Sequence, residues 1–442
     1  MTNPADNPWA ARFEPLLDKE TIKQRALLTV PSLQGLHQMS TELACKQLED
    51  ALKTVFYPTA QCVEVLHRFV DVAYAHCVTK YTDSKTFISR IYNKDSPPSD
   101  FVPAILLTGL AGTGKSKLMN ALQRIQVPDS RVIVNKEDPP FNLKGSWCVT
   151  VNARGGFIDI LKELVQSDGT ARALIEKCQR TAFRDGIPFL SVDEFQFLTG
   201  SSNANTKVTQ ILLMLAYIGI PWCYNANFSL VGRLLKRPEE DRQRLLSNWM
   251  ILQPDSPSSE DWIKTLQIQK EVAPKILTFD PVEHAQEIHN LTAGRKRAVV
   301  RLLVLAFQLE HPKGGKVDFA AIKRAYHSQG FATFREEAEI MTNQAIQNKP
   351  DKNRKDLWCP LPLPPSATVR FSESVKKLRD EKVADAQLMS ALTADERRAA
   401  KEIQKTITKK EKQAGKVIPL RKKTVLTADD LKKNANWFKD QL

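Results

Sequence analysis

Apolar residues recur at helical spacing through the first 95 residues. Leu43, Leu48, Leu52 and Val55 share one face of TELACKQLEDALKTV, and AQCVEVLHRFVDVAYAHC reads as a second helix. Ahead of them lies an extended, Pro-marked opening (NPWAARFEPLL, TVPSL). SPPSD, at 96–100, breaks the pattern. Strand-like and helix-like runs then alternate. AILLT (104–108) is a short buried strand, followed by a Gly-rich turn and the helix KLMNALQRI. SWCVTVNA reads as strand and FIDILKELVQ as helix; ARALIEKCQRTAFRD is helical and IPFLSVDE a strand; TKVTQILLMLAYIG is helical and IPWCYNA a further strand. Strict alternation implies a parallel sheet with helices on both faces, an α/β core over 96–257. Four helical runs follow over 258–345 (EDWIKTLQIQK, PVEHAQEIHNLT, KRAVVRLLVLAFQLE, DFAAIKRAYHSQ) and read as a helical lid. Residues 346–390 turn polar and then Pro-rich, the mark of an extended linker. A basic tail, 391–442, closes the chain, with one short helix expected at LTADERRAAKEIQKTITKKEKQ.

Composition narrows the class. The chain has 442 residues, 42% hydrophobic and 26% charged, ordinary values for a globular protein of two or three domains. No run approaches the ~20 apolar residues that span a bilayer. MTNPADNPWAARFEP lacks the basic start and apolar stretch of a secretory signal, so a cytoplasmic protein is expected. Seven scattered cysteines without a CxxC pair favour a reducing compartment over a disulfide framework or a zinc site. The net charge of +14 suggests a polyanionic partner, most often nucleic acid. The tail carries 14 Lys and Arg against 7 Asp and Glu, half of that surplus.

The most specific motif is Gly109-Leu110-Ala111-Gly112-Thr113-Gly114-Lys115-Ser116, with Lys117 after it. It fits GxxxxGK[ST] and lies between a buried strand and a helix, where backbone N–H groups and the helix N-terminus can cradle phosphate. Lys115 is expected on the β- and γ-phosphates of ATP, and Ser116 on Mg²⁺. The strand ending in Asp193-Glu194 supplies the second half of the site. Asp193 is placed to hold the Mg²⁺ shell and Glu194 to polarise a water for attack on the γ-phosphate. Asn225 and Asn227 end the next strand. Asn227 is the preferred water-orienting amide, and turn formation is the competing reading for both. Arg242 and Arg244 are candidates for an arginine finger given to a neighbouring subunit, or for pairing along the helix with Glu239, Glu240 and Asp241. The GRKR cluster, 294–297, begins a lid helix and is placed either to touch phosphate in cis or to lie solvated.

With these residues in view, the chain resembles AAA+ ATPases of transposition, specifically the TnsC family, with TniB-type regulators as more distant relatives. Asp6-Asn7-Pro8 resembles that family's N-terminal DNP segment, and FYPTAQCVEVLHRFVDVAYAHCV its pre-core region. DEFQFL resembles its DEIQ-type sequence, and VVRLLVLAFQL with IKRAYHSQ its lid. The resemblance spans about residues 5–345. It departs at Asn227, where the type member carries Thr, and the GRKR cluster is not a family hallmark. The resemblance implies an AAA+ fold and an ATPase that regulates transposition without being the nuclease. It implies assembly on duplex DNA, independent of sequence, as a homo-oligomeric ring or filament, hexameric or heptameric. It also implies links to a target-selection protein and to transposase and endonuclease subunits, in a bacterial, nucleoid-associated setting. Docking on those subunits falls to the 391–442 tail, against a reading as an unspecific DNA-clinging arm. Arg154 (in VNARGG) and Arg172 (in SDGTAR) are candidate phosphate contacts in pore-facing loops. The alternative is an AAA+ ATPase of another DNA transaction, such as replication initiation or helicase or clamp loading.

Overall fold

A computed structural model describes residues 7–92, 101–126, 130–134, 139–151, 156–193 and 204–362. Glu194, Arg154, Asp6, the SPPSD break and the 391–442 tail, all singled out from the sequence, lie outside the described residues. Five helices come first: α1 (Pro8–Ala11), α2 (Lys19–Ala26), α3 (Thr41–Thr54), α4 (Ala60–Lys80) and α5 (Ser84–Tyr92). Asn7, Asp18, Ser40 and Thr59 start the first four of these, each side chain accepting backbone N–H groups that the helix itself cannot satisfy.

The α/β core comprises β1 (Ile105–Gly109), α6 (Lys115–Ile125), a hairpin of β2 (Ser130–Val132) and β3 (Phe141–Leu143), and β4 (Trp147–Thr150). It continues through α7 (Phe157–Val165), α8 (Ala171–Arg184), β5 (Leu190–Asp193), α9 (Ala204–Ala216), β6 (Trp222–Asn227), α10 (Phe228–Leu234), α11 (Glu239–Leu246) and β7 (Asn248–Leu252). Five strands form one sheet in the order β4-β5-β6-β1-β7, every ladder parallel. The fold is therefore an α/β P-loop arrangement, a parallel sheet flanked by helices. The phosphate-loop strand β1 sits inside the sheet, and the Asp193 strand lies one strand away, beyond β6.

Both faces of the sheet are covered, as an all-parallel sheet requires. Ile105 and Leu107 point into a core shared with α4 and α6, including Phe69, Leu118 and Leu122. Leu106, with Trp222 and Tyr224 of β6, points into the opposite core with α8, α9 and α10. With alternate residues entering opposite buried cores, the run Ala104 to Leu107 is apolar throughout.

The lid consists of α12 (Glu260–Glu271), α13 (Ala285–Thr292), α14 (Lys296–Glu310), α15 (Phe319–Tyr326) and α16 (Ala332–Gln347). The N-terminal helices divide between the two halves. α1, α2 and α4 contribute to the sheet core. α3 contributes Ala44, Leu48 and Leu52 to the lid core, against residues such as Leu302 and Phe307. Residues 55–59, between α3 and α4, therefore pass from lid to sheet.

Three features differ from the sequence reading. β7 is a strand that the alternation of runs read from the sequence does not include. Its residues Asn248 to Ile251 are only half-buried, so they show no sharp alternation, and pairing with the free edge of β1 makes them a strand. The β2–β3 hairpin has three-residue strands, too short for a periodic signal. The residues after α16, expected to open an extended linker, are packed: Leu357 is buried with Leu110, Phe228 and Met341, and Leu361 joins the sheet core.

Candidate functional site

β1 delivers the phosphate loop to the carboxyl edge of the sheet, and α6 begins at Lys115. Two glycines are required there. A Cβ on Gly109 would stand 2.3 Å from the Leu252 carbonyl oxygen, so only glycine lets the loop pass β7. Gly112 has φ +88°, and a Cβ on it would meet Arg297 Cβ at 3.0 Å. Thr113 braces the turn by donating its hydroxyl to the Leu110 carbonyl at 3.0 Å. Lys115 is buried, its Nζ donating to the Gly109 and Leu110 carbonyls at 2.8 Å each. The ammonium is held inside the loop by neutral acceptors that an anionic phosphate can outcompete.

At the neighbouring strand ends, Asn225 is paired in register with β1 and lies beside β5. It is buried and donates Nδ2 to Asp193 Oδ1 at 2.6 Å, while its own Oδ1 has no hydrogen-bond partner among the described residues. Of the two asparagines, Asn225 is thus the one that orients the Asp193 carboxylate. Asn227 pairs with Gly109 in register and starts α10. Both line the same cavity as Gly112, Gly114, Lys115 and Ser116.

The lid completes that cavity through the start of α14. Its first turn holds no acidic residue and follows Arg295, a basic start that runs against the helix dipole. Two of its three cations are neutralised from elsewhere. Arg295, 3% exposed, pairs with Glu337 of α16 and stacks near Phe334. Lys296 pairs with Asp255 at 3.1 Å. Burial works against the Lys296 charge, yet Asp255 and neighbouring groups hold its pKa above the ordinary lysine value. Arg297 makes no ion pair among the described residues, is exposed, and lines the cavity. Its backbone N–H donates to the Gly112 carbonyl at 3.1 Å, so the lid touches the phosphate loop directly. The sequence signal was the GRKR cluster; which of its cations has no ion pair among the described residues was decided by Glu337 and Asp255, distant in sequence.

The cavity measures about 780 Å³, within the usual range for a ligand of nucleotide size. Leu52, Val55, Phe56 and Ile268 add apolar lining to it. The crossing segment is fixed to the lid where the Ala60 N–H donates to Asp261 at 2.8 Å. Lys117 also lines the cavity; burial, with Arg124 and Lys53 nearby, pushes its pKa down to about 8.

The remaining candidates lie apart from this cavity. Arg244 pairs with Glu240 at 2.7 Å and stacks over Phe101 at 5.2 Å, the along-helix alternative read from sequence. Arg242 is exposed and makes no ion pair among the described residues. Arg172 pairs with Glu176 at 3.2 Å while its side chain stays 91% exposed, a weak tie that leaves it accessible.

No protein-family model matches the chain, and no curated protein matches it in sequence. Solved structures do resemble it. Cdc6p from Pyrobaculum aerophilum is 14% identical over 66% of this chain and 79% of its own, with a TM-score of 0.36. The Orc1 protein of Aeropyrum pernix, solved in complex with DNA, is 16% identical over 67% and 75%, at 0.34. Domain III of the replication initiation protein DnaA from Thermotoga maritima is 15% identical over 55% and 88%, at 0.32. At this level of superposition, the roles of individual residues rest on the chain's own geometry. Among the described residues, no helix is long and apolar enough to cross a membrane.

Proposed function

We propose that this protein is an ATP-hydrolysing regulator that assembles on duplex DNA, of the transposition type its sequence resembles. The observation that carries the reading is one cavity in which the phosphate loop, the Asn225 amide bound to Asp193 and the basic start of the lid meet. The Gly109–Ser116 loop holds the triphosphate through its backbone N–H groups and the α6 N-terminus. Lys115 exchanges the Gly109 and Leu110 carbonyls for phosphate oxygens. The Ser116 hydroxyl and Asp193 are the groups that would hold Mg²⁺, whose chemistry is to neutralise charge between the β- and γ-phosphates. Asn225 fixes the Asp193 carboxylate, and Asn227 and Glu194 orient and polarise the attacking water. Arg297 meets phosphate charge in cis, and Arg242 of a neighbouring subunit meets it in trans.

ATP in this scheme joins lid, sheet and crossing segment, and the closed form is the one that oligomerises on DNA. Contacts from residues such as Arg154 and Arg172 are to phosphates, so binding is independent of sequence and weakens with salt. The 391–442 tail docks on transposase or endonuclease subunits, and target choice belongs to a separate protein.

The test measures ATP binding, ATP turnover and ATP-dependent sedimentation on duplex DNA for the full chain. Glu194→Gln is expected to bind ATP, hydrolyse it slowly and stay on DNA, while Lys115→Ala loses binding and assembly. Normal ATP-dependent assembly by Lys115→Ala would refute the site. Failure of 391–442 to capture transposase subunits would refute the docking role.

A further inference from the structure

Gln269 brings to the cavity a buried acceptor that no hydrogen bond among the described residues uses. Gln269 lies on α12, is 5% exposed, and lines the cavity. Its Oε1 is buried and has no hydrogen-bond partner among the described residues. Such an acceptor is costly to leave unmet, and native proteins rarely leave one without a reason.

Several polar groups of the neighbouring lining segments are committed. The Thr265 hydroxyl donates to the Asp261 carbonyl at 2.8 Å. Glu49 and Lys53 pair with each other at 2.6 Å. The Phe56 N–H and carbonyl are both used in a bridge with Leu28, at 2.8 and 3.0 Å. The Val55 N–H is bound to the Ala51 carbonyl at 3.2 Å. The main chain at Val55 and Phe56 therefore has no free donor for reading a base.

We infer that Gln269 is a specificity-determining residue that reads the 6-amino group of adenine. The inference rests on the nucleotide-site reading above and extends it to the base. The apolar wall of Leu52, Val55 and Ile268 suits a flat heterocycle. The terminal amide torsion of glutamine is soft, so Oε1 turns toward the cavity at little cost. There it accepts from the adenine amino group, and the same amide can donate to a ring nitrogen, the pairing by which Gln recognises adenine in other settings. A purine without the 6-amino group leaves Oε1 unmet.

The experiment measures, by calorimetry on the full chain, the affinities for ATP and for purine riboside triphosphate, which lacks only that amino group. The wild-type protein is expected to favour ATP by about 10-fold or more. Gln269→Met, of similar volume, is expected to bind the two ligands alike, with ATP weakened more than the analogue. Gln269→Glu, which keeps an acceptor, retains the preference and serves as the folded control. Equal wild-type affinities for the two ligands, or an undiminished preference in Gln269→Met, overturns the inference while leaving the phosphate site intact. Binding of neither ligand by the wild type overturns the nucleotide-site reading and this inference with it.

Discussion

Removing the Asp255 carboxylate tests how lid and sheet are joined. Asp255 follows β7, and its side chain, 6% exposed, meets Lys296, 20% exposed, at 3.1 Å. At that distance two unit charges attract by about 5 kcal/mol at an effective dielectric of about 20. Desolvation offsets part of this. Breaking a buried pair by deleting one partner nevertheless costs about 3–5 kcal/mol, because the other charge stays buried and unpaired. The partial exposure of Lys296 to the cavity places Asp255→Ala at the lower end, about 3 kcal/mol. The loss should be local, opening α14 from the phosphate loop before the sheet unfolds. Hydrogen exchange at the amides of α13 and α14 reads that opening free energy. The double variant Asp255→Ala/Lys296→Met removes the orphaned charge and should recover most of the loss. Saturating ATP should also shrink the effect of the single variant, since phosphate offers Lys296 a second anion. A single variant within about 0.5 kcal/mol of wild type, or a double variant no better than the single, would refute the reasoning.

ATP affinity should fall as pH rises through about 8, where Lys117 loses its proton in the empty cavity. An anionic ligand favours the charged form, so the complex takes up a proton across that window; Kd measured at several pH values should rise there, and Lys117→Met should flatten the profile. His289, held down to about 4 by burial, keeps its 3.0 Å contact with the Asp255 carbonyl. The unfolded chain binds a proton at about 6.5 where the folded one does not, so stability to urea should drop as pH falls from about 6.5 toward 4, and less so in His289→Gln. Leu357→Ala empties a buried site against Leu110, Phe228 and Met341 and should cost about 2–3 kcal/mol in urea denaturation. A cost near zero would mean that the post-α16 segment does not hold the phosphate loop.

The sequence by itself determined the local chemistry. The phosphate-loop motif is legible from its spacing, because Gly109, Gly112, Gly114, Lys115 and Ser116 all fall within one short stretch of chain. The alternation of strand and helix likewise determined a parallel sheet, since parallel strands need crossovers, and the lid helices α12 to α15 announced themselves by their period. What only the tertiary structure decided were the pairings between distant elements. That Asn225 holds Asp193 follows from β5 and β6 lying side by side. Of the GRKR cations, Lys296 and Arg297 line the cavity, and Arg297 is the one without an ion pair among the described residues, because Asp255 claims Lys296 and Glu337 claims Arg295. Gln269 had a faint signal, a polar residue on the same buried face as Trp262 and Leu266, but its meaning depends on residues 55–57 crossing opposite it. A local motif is short enough for the chain to encode within one turn. A cavity wall built from residues 49–57, 111–120, 225–227, 265–301 and Phe334 exists only after the sheet, the lid and the N-terminal helices have packed.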